Sequence, residues 1–130
     1  KVPCTVEGLK ACKHLSDHGA KVNVTLVFSV SQAILAAKAG ATYVSPFVGR
    51  VDDQHWDGIQ LIEEIADVFA THSAKTQVLA ASIREARQVP AAFRVGADIC
   101  TLPVTTFHAL YKSMLTDKGL ELFNADWAAI

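Results

Sequence analysis

The chain has 130 residues, enough for about one domain with a core of modest size. Hydrophobic residues make up 51% and charged residues 19%, a composition that excludes an intrinsically disordered chain. The formal net charge is −1, and no apolar stretch approaches the ~18 residues that span a bilayer, so neither a nucleic-acid partner nor a membrane is expected.

Short runs of β-branched and apolar residues, most of them ending in Ser or Thr, predict the strands. Their starts lie near residues 2, 21, 42, 76 and 97. Three of the runs follow a glycine that ends a helix-like stretch, a position that favours a residue without Cβ because the backbone there is left-handed. These glycines are Gly19, Gly40 and Gly96.

Side-chain caps predict where the helices begin. Thr5 is expected to cap a helix that runs to about Asp17. Capping-box spacing, in which a side-chain oxygen is followed three residues later by Glu or Gln, predicts further helix starts at Ser29, Asp57 and Ser82. Strands and helices therefore alternate along the chain.

This alternation, at offsets of about 20 residues, predicts an α/β fold with a parallel sheet and right-handed crossovers. Two architectures fit. An open, five-stranded flavodoxin-like sheet suits 130 residues, whereas a (βα)8 barrel normally needs ~200–250 residues. Length alone favours the open sheet, and both folds gather functional groups at the carboxyl ends of the strands.

Cationic and small polar side chains stand near the predicted strand ends. Arg50 and Arg84 can each hold a phosphate with two hydrogen bonds, and Ser82 adds a donor at a predicted helix start, which favours anions. A lysine at a buried strand end can lose its charge by desolvation and become a nucleophile, a role open to Lys1. Each residue taken alone is more often a cap or a surface charge, but together they suit a phosphorylated, hydroxyl-rich ligand. The set also contains Asn23, Thr25, Ser45 and Phe47.

Five motifs, in the same order along the chain, resemble those of the transaldolase and fructose-6-phosphate aldolase family. Residues 1–8, KVPCTVEG, resemble the family's strand-4 motif K-[IV]-P-x-T-x-E-G, in which the lysine forms a Schiff base. The other four are VNVTLVFS at 22–29, VSPFVGR at 44–50, AASIR at 80–84 and TLP at 101–103. Because these motifs span essentially the whole chain, the resemblance favours the barrel over the open sheet.

The resemblance implies a partial (βα)8 TIM barrel, with residues 1–130 forming a single incomplete domain from strand 4 to strand 8 plus a C-terminal helix. Strands 1 to 3 are expected to be absent, together with the family's aspartate and glutamate that relay protons around the lysine. General acid–base catalysis commonly contributes about 10²–10⁴ in rate, so the chain alone is expected to be weakly active or inactive. An unpaired first strand also predicts either a homo-oligomer or inclusion in a longer polypeptide.

The resemblance further implies class I aldolase chemistry, with a sugar-phosphate substrate and with neither a metal nor another cofactor. Lys1 would form the Schiff base, while Asn23 and Thr25 would hydrogen-bond the dihydroxyacetone hydroxyls or the catalytic water. Ser45 would position the intermediate. The distal phosphate would be held by Arg50, Ser82 and Arg84.

Phe47 distinguishes the activities within the family. The resemblance places it where transaldolases have Phe and fructose-6-phosphate aldolases have a Tyr that helps release dihydroxyacetone. Transfer of a dihydroxyacetone unit between a ketose phosphate and an aldose phosphate is therefore expected, and Asn23 also matches transaldolases better. Two alternatives stay open: a fructose-6-phosphate aldolase, and a non-catalytic half-barrel.

Two remaining signals concern histidines and cysteines. His14 and His18, with Cys12 nearby, suggest zinc, but no third ligand has suitable spacing, so a structural role is expected. Three cysteines are too few for a disulfide framework and predict a reducing, cytoplasmic location.

An apolar stripe at helical spacing follows Gly119 near the end of the sequence. It predicts a terminal helix that packs on the outside of the barrel or, as the resemblance implies, on a neighbouring subunit. Its members are Leu120, Phe123, Trp127 and Ile130.

Overall fold

A computed structural model describes residues 1–130 and shows strands that alternate with helices. The strands are β1 (Val2–Pro3), β2 (Asn23–Val27), β3 (Tyr43–Pro46), β4 (Gln77–Ala80) and β5 (Ile99–Cys100). The helices are α1 (Val6–Asp17), α2 (Val30–Lys38), α3 (Val48–Asp52), α4 (Gly58–Thr71), α5 (Gln88–Arg94), α6 (Val104–Ala109) and α7 (Met114–Ala128). All five predicted strand starts are within two residues of the observed ones.

The five strands form one parallel sheet in which the order of neighbours equals the order along the chain. Each connection leads from one strand to the next in the same direction across the sheet. Because crossovers between parallel strands are right-handed, the connecting helices therefore lie on one face of the sheet. The contacts between helices support this arrangement, because α1 packs on α2, α2 packs on α4, and α4 packs on α5. The core lies between this helix layer and the sheet, where Val24, Val44 and Val78 meet Ile62 and Ile65.

An open flavodoxin-like sheet, which length alone favoured, is therefore not observed. A doubly wound sheet carries helices on both faces and reverses its strand order at a switch point. Here the order never reverses and the helices cover one face, an α/β arrangement consistent with part of a TIM barrel.

The predicted caps at Thr5, Ser29 and Asp57 are confirmed. Their side-chain oxygens accept hydrogen bonds from the backbone amides of Gly8, Gln32 and Gln60, respectively. The left-handed glycines are confirmed as well, with φ of 83°, 86° and 105° at Gly19, Gly40 and Gly96.

The helix start predicted at Ser82 is wrong. Ser82 has φ 56°, and α5 begins only at Gln88. A residue whose backbone is left-handed cannot serve as a helix N-cap, because the N-cap residue needs an extended backbone. The short helix α3 was not predicted, because Val48 follows β3 after a single residue and no side chain caps it.

The terminal stripe begins on α7, which is a helix as predicted but buries no residue, and it ends at Ile130, beyond the helix. Trp127 is 80% exposed and Ile130 is fully exposed, so the stripe does not pack on the outside of this sheet and helix layer. No helix of the structure has both the length and the hydrophobicity needed to cross a bilayer.

Candidate active site

Four of the candidate residues lie on the sheet face opposite the helices, here called the inner face. Successive strand residues point to opposite faces, and Val24 and Val44 point into the core under the helices. Asn23, Thr25 and Ser45, each next to one of these valines, therefore belong to the inner face. Val2 pairs with Val24, a register that places Lys1 beside Asn23.

Asn23 and Ser45 join neighbouring strands through their side chains. The Ser45 hydroxyl donates to Asn23 Oδ1 at 2.7 Å, and Ser45 is only 1% exposed. Because the amide oxygen of Asn23 accepts this bond, its NH2 group is oriented away from Ser45 and can donate to a ligand.

The Thr25 hydroxyl is buried and has no hydrogen-bond partner in the protein. Thr25 is 9% exposed, and an unpaired buried hydroxyl costs about 1–3 kcal/mol. A ligand hydroxyl or a water molecule that binds there would remove this cost. The inner face thus holds an unused hydrogen-bonding group one residue after Val24.

A bulge turns the chain just beyond this hydroxyl. Leu26 has φ 58°, and the pairing between β2 and β3 shifts between Val24 and Val27. Val27 consequently points into the core although it is three residues from Val24.

Lys1 is exposed, and its side chain makes no ion pair or hydrogen bond. The sequence predicted a lysine at a buried strand end, and the structure differs because β1 is the outermost strand of the sheet with only β2 beside it. The buried surroundings expected for Lys1 are therefore not found here.

Phe47 and Arg50 lie beyond the carboxyl end of β3 and contact each other. The guanidinium carbon of Arg50 is 5.0 Å from the centre of the Phe47 ring, a cation–π geometry. On its other side Phe47 packs against Phe28, with ring centres 5.6 Å apart. Phe28 was not among the sequence candidates, because a single aromatic residue after a strand gives no signal of its own.

Arg84 lies beyond the carboxyl end of β4 and makes a two-bond ion pair with Asp53. Nη1 donates to Oδ1, and Nη2 donates to Oδ2 at 2.6 Å. These hydrogen bonds hold the pKa of the Asp53 carboxyl below its ordinary value; partial desolvation opposes the shift, and the charges of Arg84 and Arg50 reinforce it. Three of the five guanidinium N–H groups of Arg84 remain available to an anion.

Ser82 lies two residues before Arg84 and contacts the segment that carries Arg50. Its carbonyl accepts a hydrogen bond from the Gly49 amide at 3.0 Å, while its hydroxyl makes none. The left-handed backbone of Ser82 is strained, at a cost of order 1–3 kcal/mol, a feature that often marks functional sites.

The candidates thus form two groups: Lys1, Asn23, Thr25 and Ser45 on the inner face, and Phe47, Arg50, Ser82 and Arg84 beyond the strand ends. Away from both groups, the rings of His14 and His18 are 4.4 Å apart at the end of α1. The structure contains no group of three or more His, Cys, Asp or Glu side chains placed to hold a metal ion.

Comparison of the fold with solved structures supports the α/β assignment. A mandelate oxidase determined with benzoyl-formic acid superposes with a TM-score of 0.56 over 72% of this chain and 28% of its own, at 23% sequence identity. At that identity the similarity shows the fold alone.

Comparison of the sequence is more informative. The "Probable transaldolase" of Paracoccus denitrificans is 56% identical over 128 residues, which are 98% of this chain and 59% of that protein. Proteins with the same name from Cereibacter sphaeroides and Shouchella clausii are each 57% identical, over 98% of this chain and 58% and 59% of their own lengths. The chain thus spans somewhat under three-fifths of these relatives. The sequence model of the Transaldolase/Fructose-6-phosphate aldolase family matches residues 1–130, and the chain belongs to this family.

Proposed function

We propose that the chain supplies the Schiff-base lysine and the phosphate-binding arginines of a transaldolase. The enzyme would transfer a dihydroxyacetone unit from a ketose phosphate to an aldose phosphate. The observation that carries the proposal is the unpaired, buried hydroxyl of Thr25 on the inner face, close in sequence to the Asn23–Ser45 pair. Family membership and the names of the relatives support the same activity.

Lys1 would act as the nucleophile. Its neutral amine adds to the keto carbon of the substrate, and loss of water gives a protonated imine. The C3–C4 bond then breaks, and its electron pair flows toward the imine nitrogen, so that an enamine forms. The C4 hydroxyl loses its proton at the same time, and the fragment that carries C4 leaves as an aldehyde. The enamine attacks the aldehyde carbon of the second aldose phosphate, whose oxygen takes up a proton, and water then releases the product from Lys1.

Thr25, Asn23 and Ser45 would hold the dihydroxyacetone part. The Ser45 hydroxyl fixes the orientation of the Asn23 amide, whose NH2 group can then donate to a sugar hydroxyl. The Thr25 hydroxyl would bind a second substrate hydroxyl or the water that hydrolyses the imine. These are oriented hydrogen bonds on neighbouring strands, the arrangement that positions a substrate for reaction.

Arg50, Arg84 and Ser82 would bind the distal phosphate. Arginine suits phosphate because its planar guanidinium can donate two parallel hydrogen bonds. Both guanidinium groups lower the pKa of the Asp53 carboxyl, which supports a shared phosphate site. The Ser82 hydroxyl has no protein partner and can add a third donor.

Transfer is proposed over cleavage because Phe47 has no hydroxyl to protonate the enamine. Its ring contacts Phe28 and Arg50, and without that hydroxyl the enamine would persist until an aldehyde acceptor arrives. The substitution Phe47→Tyr tests this point. It should raise the release of free dihydroxyacetone from fructose 6-phosphate relative to transfer, whereas an unchanged ratio would contradict the role of Phe47.

The remaining features of the enzyme are also proposals. The structure offers no carboxylate on the inner face to relay protons to Lys1, so residues 1–130 alone would be weakly active or inactive. The exposed stripe on α7 would contact another subunit of a homo-oligomer. A cytoplasmic location fits the three free cysteines.

Borohydride trapping tests the proposed nucleophile. Incubation with fructose 6-phosphate and borohydride should leave a stable mass increase on Lys1 Nζ, located by peptide fragmentation that separates it from an α-amino adduct. Lys1→Arg should abolish the adduct, and the exposed Lys21 should carry none. Equal labelling of both lysines would contradict the proposal, and no adduct on folded protein would support a non-catalytic half-barrel.

A further inference from the structure

The two arginines proposed to bind phosphate are carried by segments that a side-chain network joins. Arg50 lies on α3, and Arg84 lies in the segment between β4 and α5. We propose that Asp52, acting through Gln88, is a positioning residue that holds Arg84 at a fixed distance from Arg50. This inference rests on the proposed function, which assigns both guanidinium groups to the phosphate of the substrate.

The first link holds the backbone of Arg84. The side-chain oxygen of Gln88 accepts hydrogen bonds from the backbone amides of Arg84 and Glu85, at 2.8 and 3.0 Å. The side-chain nitrogen of Gln88 donates to Asp52 Oδ2 at 3.0 Å. One amide group thus connects the main chain at Arg84 to the last residue of α3.

The second link holds the side chain of Arg84. Asp53, the residue after Asp52, accepts two hydrogen bonds from the guanidinium group. The middle of the same side chain crosses Gly49, where an added Cβ would lie 2.7 Å from Arg84 Nε. Arg84 is therefore held at its backbone, along its stem and at its tip by α3 and the residue that follows it.

The helix α3 is itself attached to neighbouring elements. The amide of Val48 donates to the Ala81 carbonyl at 2.9 Å, and the other carboxylate oxygen of Asp52 accepts from the Gly58 amide at 2.9 Å. The helix that carries Arg50 is thus tied to the end of β4 and to the start of α4. With Asp52 and Gln88 in place, both arginines belong to one connected unit.

A purely electrostatic role of Asp52 predicts a change in phosphate binding opposite in sign to the change that a positioning role predicts. A carboxylate near an anion site repels the anion, so removing it should strengthen phosphate binding on Coulombic grounds. If Asp52 positions Arg84, removing it should weaken phosphate binding. The sign of the change therefore separates a positioning role from a purely electrostatic one.

Three variants of the protein test the inference with inorganic phosphate. Gln88→Ala removes the bonds to the Arg84 and Glu85 amides and to Asp52 without changing the charge. Asp52→Ala removes the bond to Gln88, one negative charge and one bond to the first turn of α4. Asp57→Ala is the matched control, since it removes one negative charge and one bond to the same turn but no contact with the Arg84 segment. Circular dichroism verifies that each variant is folded.

The dissociation constant for phosphate, measured by calorimetry, should rise about two- to tenfold in Gln88→Ala and Asp52→Ala, the scale of one lost orienting hydrogen bond. It should not rise in Asp57→Ala. With a phosphorylated aldose as acceptor, KM should rise similarly while kcat changes less, and an unphosphorylated acceptor should show no change. Wild-type affinity in Gln88→Ala, an equal loss in Asp57→Ala, or no phosphate binding by the wild type would overturn the inference.

Trapping with free dihydroxyacetone separates this result from the proposed function. That ketone has no phosphate, so its adduct on Lys1 does not depend on Arg50 or Arg84. Loss of the Lys1 adduct together with the expected phosphate changes would refute the proposed function and leave the positioning role intact. A normal adduct together with unchanged phosphate affinity in Gln88→Ala would refute the positioning role alone.

Discussion

The hydroxyl of Ser45 donates a hydrogen bond to the side-chain oxygen of Asn23 across the boundary between β3 and β2. This contact lies on the face of the sheet that the helices leave uncovered, and it determines which end of the Asn23 amide points toward a ligand. It therefore links the packing of two strands to the proposed recognition of a sugar hydroxyl.

Removing this hydroxyl should affect stability and transfer together. Ser45→Ala is expected to lower the free energy of unfolding by about 1 kcal/mol, the net value of one such hydrogen bond, and to reduce the rate of transfer. Thr76→Val is the matched control, because the Thr76 hydroxyl donates to the Ala41 carbonyl at 2.7 Å before the start of β4, away from the candidate site. Denaturant unfolding and transfer assays check both variants, and equal loss of activity in the two would contradict a specific role for Ser45.

Replacing Thr25 should separate stability from activity. Thr25→Val keeps the shape of the side chain and removes a buried hydroxyl that has no protein partner, so the free energy of unfolding should rise by about 1 kcal/mol. The rate of transfer should fall, since the hydroxyl proposed to bind substrate or water is gone. Thr25→Ser restores the hydroxyl and should recover most of the activity. A destabilised Thr25→Val protein would show that the hydroxyl has a structural partner.

The ion pair between Asp53 and Arg84 should make stability depend on acid pH. Hydrogen bonds from Arg84 lower the pKa of Asp53 below its ordinary value of 3.8, so the pair stabilises the fold above that pH. This contribution is lost as the pH falls through the lower pKa of the folded state. The stability difference between wild type and Asp53→Asn should therefore shrink below about pH 4, and it should also shrink with added salt, because the pair is exposed.

Denaturant unfolding at several pH values measures this difference. Glu121→Gln on α7 is the control, since its exposed carboxylate has no ion-pair partner. A difference between wild type and Asp53→Asn that stays constant from neutral pH into strong acid would show that the pair does not form.

Two glycines should respond to alanine in opposite directions. At Gly49 an added Cβ would meet the Ser82 carbonyl oxygen and lie 2.7 Å from Arg84 Nε, so Gly49→Ala should cost about 2 kcal/mol of stability. At Gly119, within α7, an added Cβ meets nothing within 4 Å, and Gly119→Ala should stabilise the helix by about 0.5–1 kcal/mol. Thermal unfolding followed by circular dichroism compares the two, and a neutral Gly49→Ala would mean that both the Ser82 carbonyl and the Arg84 side chain move aside.

Local signals predicted most of the fold. Thr5, Ser29 and Asp57 act as caps because their extended backbone and short polar side chains complete the first helical turn. Ser82 is followed by Glu85 at the spacing at which Ser29 and Asp57 are followed by Gln, yet its backbone is left-handed. The conformation of one residue is decided there by the packing of α3 against the end of β4, which no local pattern encodes.

The site was less predictable than the fold. Asp53 follows Arg50 closely in the sequence, and no local pattern predicts that it pairs with Arg84, 31 residues away. Gln88 likewise has no motif around it, and its contacts with Asp52 and Arg84 depend on how two loops approach each other. The exposure of Lys1 depends on which strands flank β1, and a motif does not carry that information.

The sequential order of the strands has a consequence for how the chain folds. Val2 pairs with Val24, and Val24 pairs with Val44, so each of these two pairings closes a loop made of a single strand–helix unit. The pairing of Val44 with Val78 closes a longer loop, which contains both α3 and α4. Because short loops cost less entropy to close than long ones, the units that contain β1, β2 and β3 should form before β4 joins them.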